Sequence, residues 1–108
     1  NTIKIKSMSS LVNTVSTHKL IRYNGEQLAL TLGYKPRQLY NRRVSHDMAL
    51  VRGCMMYHLR FVCGYTTREC GEVFNLNASS CAYWCRKIGD YESINDRVVM
   101  EYLEYIKP

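Results

Sequence analysis

The chain has 108 residues, 46% of them hydrophobic, with only 2 Pro and 6 Gly; this suits one domain, 1–108, with a buried core and excludes a disordered linker. The formal net charge of +6 is uneven: residues 1–60 carry ten Lys/Arg against two acids, Glu26 and Asp47, and residues 61–108 carry five against seven. A basic half beside a mildly acidic half points to a polyanionic partner, while the absence of a long apolar run or a charged-then-apolar leader predicts no membrane partner and a cytoplasmic location.

Strand-like alternation is confined to TIKIK at residues 2–6, short enough to be a frayed terminus. Ser9–Tyr23 predicts a first helix with Leu11, Val12, Val15, Leu20 and Ile21 on its apolar face, although its Ser, Thr and Asn residues also favour caps and turns. Asn24 is placed to cap a second helix, EQLALTL at 26–32, which Gly33 stops as a C′ glycine. Residues 35–39 form a further short helix with Pro36 in its first turn. The segment 41–47 carries Arg42, Arg43 and His46 without an apolar period and reads as a basic loop.

Met48–Cys63 is the longest helical pattern, with Met48, Val51, Met55, Leu59 and Val62 at three- and four-residue steps, and Gly64 ends it. Thr66 and Glu69 have the spacing of a capping box, which opens a helix through Phe74 with Cys70, Val73 and Phe74 turned inward. Asn75-Leu76-Asn77 is a turn. Asn77 or Ser79 caps the next helix, which runs to about Ile88 and buries Cys81, Trp84 or Cys85, and Ile88. Gly89-Asp90 breaks that pattern. A last helix from about Ile94 to Ile106 carries Val98, Val99, Tyr102, Leu103 and Ile106 as apolar positions, and its Glu101 and Glu104 face away from any phosphate surface. The expected fold class is all-α, a bundle of five to six helices.

The five cysteines, Cys54, Cys63, Cys70, Cys81 and Cys85, are odd in number and contain no CxxC pair. This pattern favours reduced, buried thiols over a disulfide framework. A zinc site from His58, Cys63, Cys81 and Cys85 matches no standard spacing, so neither metal nor other cofactor is expected. His18, His46 and His58 are scattered. Cys54 and His58 share a helix face at an i, i+4 spacing, which could join a nucleophile to a base, but nothing completes such a site and the chain reads as a non-enzyme.

Residues 66–88 have the outline of a helix-turn-helix. A helix that enters the major groove needs small or polar residues at its first turn, so that its backbone comes close to bases and phosphates. Ala78, Ser79 and Ser80 meet that need, and their amides lie at the positive end of the helix. Tyr83 follows one turn on, and Arg86 and Lys87 lie near the far end of a recognition helix at about 78–88. An αα-hairpin with a Ser-rich cap has the same pattern, and the residues alone leave both readings open.

From Gly33 to Ile88 the sequence resembles the C-terminal DNA-binding domain (domain IV) of the DnaA family of bacterial replication initiators. RGCMMY at 52–57 is similar to that family's Arg-Gln-x-Ala-Met-Tyr run, TTRECGEVF at 66–74 to its Ser-x-x-Glu-Ile-Gly-x-x-Phe, and CRKI at 85–88 to a common family ending. The resemblance implies a Trp-repressor-like helix-turn-helix fold that binds double-stranded DNA in a bacterial or phage-encoded, nucleoid-associated setting. It implies DNA contacts from the recognition helix and from a basic loop whose Arg enters the minor groove. Arg42 and Arg43 lie in the corresponding loop, with Arg43 the first choice for insertion, and Arg52 and Arg60 align with family positions near phosphates. The turn departs from the family: the family's Arg-Asp-His maps onto Leu76-Asn77-Ala78, one residue shorter overall, and its Thr-Thr onto Ser79-Ser80. An Asp accepts from cytosine, whereas Asn77 can bind adenine or simply cap the helix, so the implied target differs. No GxxxxGK[ST] phosphate-binding loop occurs, so the expected role is regulatory or replication-related DNA binding without ATPase activity. The competing expectation is a protein-interaction module on the same scaffold. Residues 1–23 lie outside the resemblance.

Overall fold

The structure, a computed structural model, describes the backbone of residues 2–108 and the side chains from Thr14 onward. Among the described residues it is all-α, with no strand. Helix α1 spans Thr2–Thr31, the short 3-10 helix η1 Pro36–Tyr40, α2 His46–Phe61, α3 Thr67–Val73, α4 Ala78–Ser93 and α5 Arg97–Ile106. None of the helices, among the described residues, is long and apolar enough to cross a membrane.

The N-terminal region differs from expectation. TIKIK is helical, and the two helices anticipated over Ser9–Tyr23 and 26–32 are one continuous rod. Asn24 does not cap; its side-chain amide reaches across to donate to the carbonyls of Ile106 and Lys107, at 3.2 and 3.3 Å. That long-range use removes the local competition by which Asn favours helix ends. Ile21, Leu28 and Ala29 are buried, whereas Val15 and Leu20 face solvent. The side chains of Leu11 and Val12 lie outside the described residues. At the far end Gly33 does stop the helix: with φ of 90° it lets its own amide reach Leu30 and the Tyr34 amide reach Ala29, both at 2.9 Å.

Helix α2 is the centre of the packing and touches α1, η1, α3, α4 and α5. A single apolar stripe on it is therefore an incomplete description. Met48, Leu50, Val51, Cys54, Met55, Met56 and Leu59 are all buried, which covers nearly the whole circumference. Each fully buried side chain of this size stabilises by about 1.5–3 kcal/mol. Val62 lies past the end of the helix and is exposed. The start of α2 is two residues earlier than the basic loop predicted, because the Ser45 hydroxyl accepts from the Met48 amide and caps the helix at His46. Helix α4 runs through Gly89-Asp90 to Ser93, and the left-handed backbone of Asn95 (φ 55°), with the Asp96 amide returning to the Tyr91 carbonyl, ends it instead. Asp96 then caps α5, whose buried side is Val99, Tyr102, Leu103 and Ile106; Val98 is exposed.

His58 is held in this core with its Nε2–H donating to the Leu103 carbonyl at 2.8 Å, joining α2 to α5. Burial lowers its pKa below 6.5, and burial followed by the charge of Arg22 does the same at His18. In the unfolded chain both imidazoles take up a proton at higher pH than in the fold. Stability is therefore complete above about pH 6.5 and lost as pH falls toward the folded values. Urea unfolding at about pH 7.5 and about pH 5 is expected to show this loss. His58→Gln, which keeps a donor for Leu103 but does not titrate, is expected to reduce it.

Candidate nucleic-acid interface

The α3–α4 pair is set by capping and turn chemistry at both of its joints. The Thr66 hydroxyl accepts from the Glu69 amide at 3.1 Å and the Glu69 carboxylate accepts from the Thr66 amide at 2.9 Å, which is the capping box expected at the start of α3. Past the end of α3, Asn75 takes up the left-handed region at φ 57°, with the Leu76 amide returning to Gly71 at 2.9 Å and the Asn75 amide to Glu72 at 3.3 Å. This paired arrangement satisfies the last carbonyls of the helix. A Cβ on Gly71 would lie 2.6 Å from the Leu76 carbonyl oxygen and 3.0 Å from that of Asn77. Only glycine lets the turn fold back this closely.

Asn77 caps α4 by accepting from the Ser80 amide at 2.8 Å. An α-helix leaves its first amides without intrahelical partners, and those of Ala78 and Ser79 lie at this exposed turn. Cys81, Cys85 and Ile88 point inward and are buried, while Trp84 is half-buried. The seat for α4 is Gly53 of α2: a Cβ there would come within 3.0 Å of the Trp84 ring and 3.2 Å of Ile88. At the other end the Tyr57 hydroxyl donates to Glu92 at 2.6 Å, a bond that, with burial, pushes the Tyr57 pKa up to about 12.

The basic loop meets the first turn of α4. Arg42 lines a groove together with Tyr40, Asn75, Leu76, Asn77 and Ser80. Arg43, the residue favoured from sequence, points to another recess, lined with it by Tyr34, Gln38, Asn41, Val44, Ser45 and Met48. Both arginines are exposed, but only Arg42 lines a groove with the first turn of α4. Farther along α4, Tyr83, Arg86, Lys87, Asp90 and Tyr91 line a second recess. There Lys87 donates to the Tyr83 hydroxyl at 3.1 Å and lies over the rings of Tyr83, Trp84 and Tyr91 at 5.4, 5.8 and 6.0 Å. The Tyr83 bond raises the pKa of Lys87 and keeps it cationic. Among the described residues the ion pairs are Arg68–Glu72 and Arg97–Glu101, so acids are matched to cations elsewhere and Arg42, Arg43 and Arg86 carry no salt bridge.

Two other sequence candidates sit away from this surface. Arg52 is only 5% exposed, and its Nη1 donates to the carbonyls of Leu39 and Asn41 at 3.3 and 2.8 Å. Arg60 is half-buried; its Nη1 donates to the Tyr65 carbonyl at 3.1 Å, bracing the link between α2 and α3. Both are committed to backbone carbonyls. Tyr40 was not singled out from sequence, since an isolated Tyr after a short helix carries no periodic signal, yet it forms one wall of the groove. Among the described residues no group of three or more His, Cys, Asp or Glu has an arrangement that could hold a metal ion. Burial pushes the Cys54 thiol up to about 12, far from the reactive thiolate a nucleophile needs.

Comparison with known proteins finds no matching family model, no matching curated protein and no matching solved structure.

The turn geometry gives a direct check. Gly71→Ala is expected to destabilise by about 1–3 kcal/mol, because the clash with backbone oxygens outweighs the helix propensity gained. Asn75→Gly, which removes the strain of a side chain at positive φ, is expected to be neutral or stabilising by up to about 1 kcal/mol. Thermal unfolding of the two variants beside the parent reads both effects, and a Gly71→Ala protein as stable as the parent would rule out this close turn.

Proposed function

We propose that the chain is a double-stranded DNA-binding protein, with a Trp-repressor-like helix-turn-helix arrangement similar to the C-terminal domain of the DnaA initiators. The observation that carries this reading is the shared groove of Arg42, Asn77 and Ser80, which brings a free guanidinium next to the first turn of α4. The helix start would sit in the major groove, where the amides of Ala78 and Ser79, the hydroxyls of Ser79 and Ser80 and the positive end of the helix suit phosphates and base edges. Asn77 is occupied as a cap, which favours a structural role for it over adenine recognition. Arg42, rather than Arg43, would follow the backbone toward the adjacent minor groove. Arg86 and Tyr83 extend the contact along one strand. The role is regulatory or replication-related, by binding alone.

A protein-interaction role draws support from Phe61 and Val62, apolar side chains exposed at 61% and 53% at the end of α2. Salt dependence separates the two readings. Phosphate contacts release counterions, so DNA affinity falls steeply with salt, with a slope that tracks the number of phosphates neutralised. In a fluorescence-anisotropy titration against random-sequence duplex at low and moderate salt, the parent is expected to bind in the micromolar range or tighter with a clear salt slope. The Ser79→Glu/Ser80→Glu double variant is expected to lose binding through like-charge repulsion at the helix start, and Arg42→Ala to weaken it more than Arg43→Ala. Salt-insensitive or absent binding would exclude DNA as the ligand.

A further inference from the structure

The three residues that precede Arg42 are fixed from opposite sides. The carbonyls of Leu39 and Asn41 both accept from Nη1 of Arg52 on α2. Between them Tyr40 is held from α1, its hydroxyl accepting from Arg22 Nε at 3.2 Å and donating to Glu26 at 2.9 Å. Its ring stacks on Phe74, at the end of α3, with centroids 5.5 Å apart and planes 13° from parallel. Arg42 is the next residue, and it is exposed in the groove.

Arg52 is a costly residue to place there. It is buried, no carboxylate neutralises it among the described ion pairs, and its Nε has no hydrogen-bond partner. Burying a charge without a counter-ion is unfavourable unless its hydrogen bonds are used. The bonds it does make are both to this one stretch of backbone. A guanidinium is suited to such a task because its donors are held in a rigid plane.

We propose that Arg52 is a positioning residue for DNA binding: by holding the backbone of residues 39–41 it aims Arg42 into the groove beside Asn77 and Ser80. The inference rests on the duplex-binding reading. It departs from the expectation that Arg52 itself meets a phosphate, since its guanidinium is buried against the loop it holds. Pre-setting Arg42 in this way lowers the ordering cost that a mobile side chain and loop would incur on binding.

The test uses the full chain in four forms: parent, Arg42→Ala, Arg52→Gln and the double variant. Duplex affinity is measured by anisotropy over a range of salt. Arg42→Ala is expected to weaken binding roughly tenfold and to lower the salt slope by about 0.9, the share of one phosphate contact. Arg52→Gln is expected to reproduce that loss, and the double variant to bind no worse than Arg42→Ala alone, because both substitutions remove the same contact. Additive losses, or a salt slope lowered by about two contacts in the double variant, would show that Arg52 acts independently of Arg42 and overturn the proposal.

Limited trypsin digestion supplies a readout that needs no DNA. Cleavage after Arg42 and Arg43 is expected to accelerate several-fold in Arg52→Gln while cleavage elsewhere keeps its rate; unchanged cleavage of the loop would overturn the proposal. If the parent binds no duplex, the functional reading fails, and the digestion still decides whether Arg52 holds the loop. Should Arg52→Gln fail to fold, Arg52→Lys, which retains charge and one donor group, takes its place in both measurements, with the same outcomes deciding.

Discussion

The contact between α4 and α2 at Gly53 is the constraint on which the rest of the arrangement depends. With only hydrogen on that α-carbon, Trp84 and Ile88 come down against the backbone of α2. A Cβ there would press on the Trp84 ring at 3.0 Å and on Ile88 at 3.2 Å, so that one of them would have to shift. The loop containing Arg42 is tied to the same helix α2 through Arg52. One buried helix thus serves as the common reference for two surface elements that lie far apart in sequence. Close packing converts this into precision: interiors near crystal density leave little room for α4 to shift along its seat.

Charge is arranged with the same economy. Five of the seven acids of the C-terminal half are used in capping, as with Glu69 and Asp96, in the hydroxyl bond of Glu92, or in ion pairs with Arg68 and Arg97. Helix starts are natural places for acids, since the macrodipole and the free amides both favour them. The start of α4 differs from those of α2, α3 and α5, which have an acid at the cap or in the first turn. It is capped by a neutral Asn and has no acid in its first turn, so its positive end is not compensated from within. Arg42 and the Ser hydroxyls stand around that uncompensated end, and Arg86 and Lys87 lie farther along the helix beside Asp90.

What could be read from sequence was the chemistry that acts over three or four residues. The Thr66–Glu69 box, the Asn77 cap, Gly33 and Pro36 act on their own neighbourhoods, and the elements they delimit were legible. So was the buried side of α4, whose Cys81, Cys85 and Ile88 recur at helical spacing. Asn24 was misleading because its partners are the carbonyls of Ile106 and Lys107, at the opposite end of the chain. Gly89 was misread as a stop because the termination of α4 depends on Asn95 adopting a left-handed backbone, which its sequence context does not announce. The placement of the arginines was hidden for a similar reason. A charged residue is most often exposed, and nothing local distinguishes Arg52, whose acceptors lie eleven and thirteen residues away. Nor does adjacency distinguish Arg42 from Arg43, which line different recesses.

Trp84 has a further consequence. It is the single tryptophan of the chain, and it sits half-buried where α4 crosses Gly53, edge-on to Tyr83 at 5.5 Å and with the Lys87 ammonium 5.8 Å from its ring. An indole in that position senses two things at once: the dryness of the helix crossing beneath it and the cation beside it. A ligand that draws Lys87 away changes the electric field across the ring, whereas loosening of the crossing admits water and lengthens the emission wavelength. The protein thus carries an intrinsic optical reporter at the junction between its core and its outer helix face, able to tell occupation of that face from unfolding without any added label.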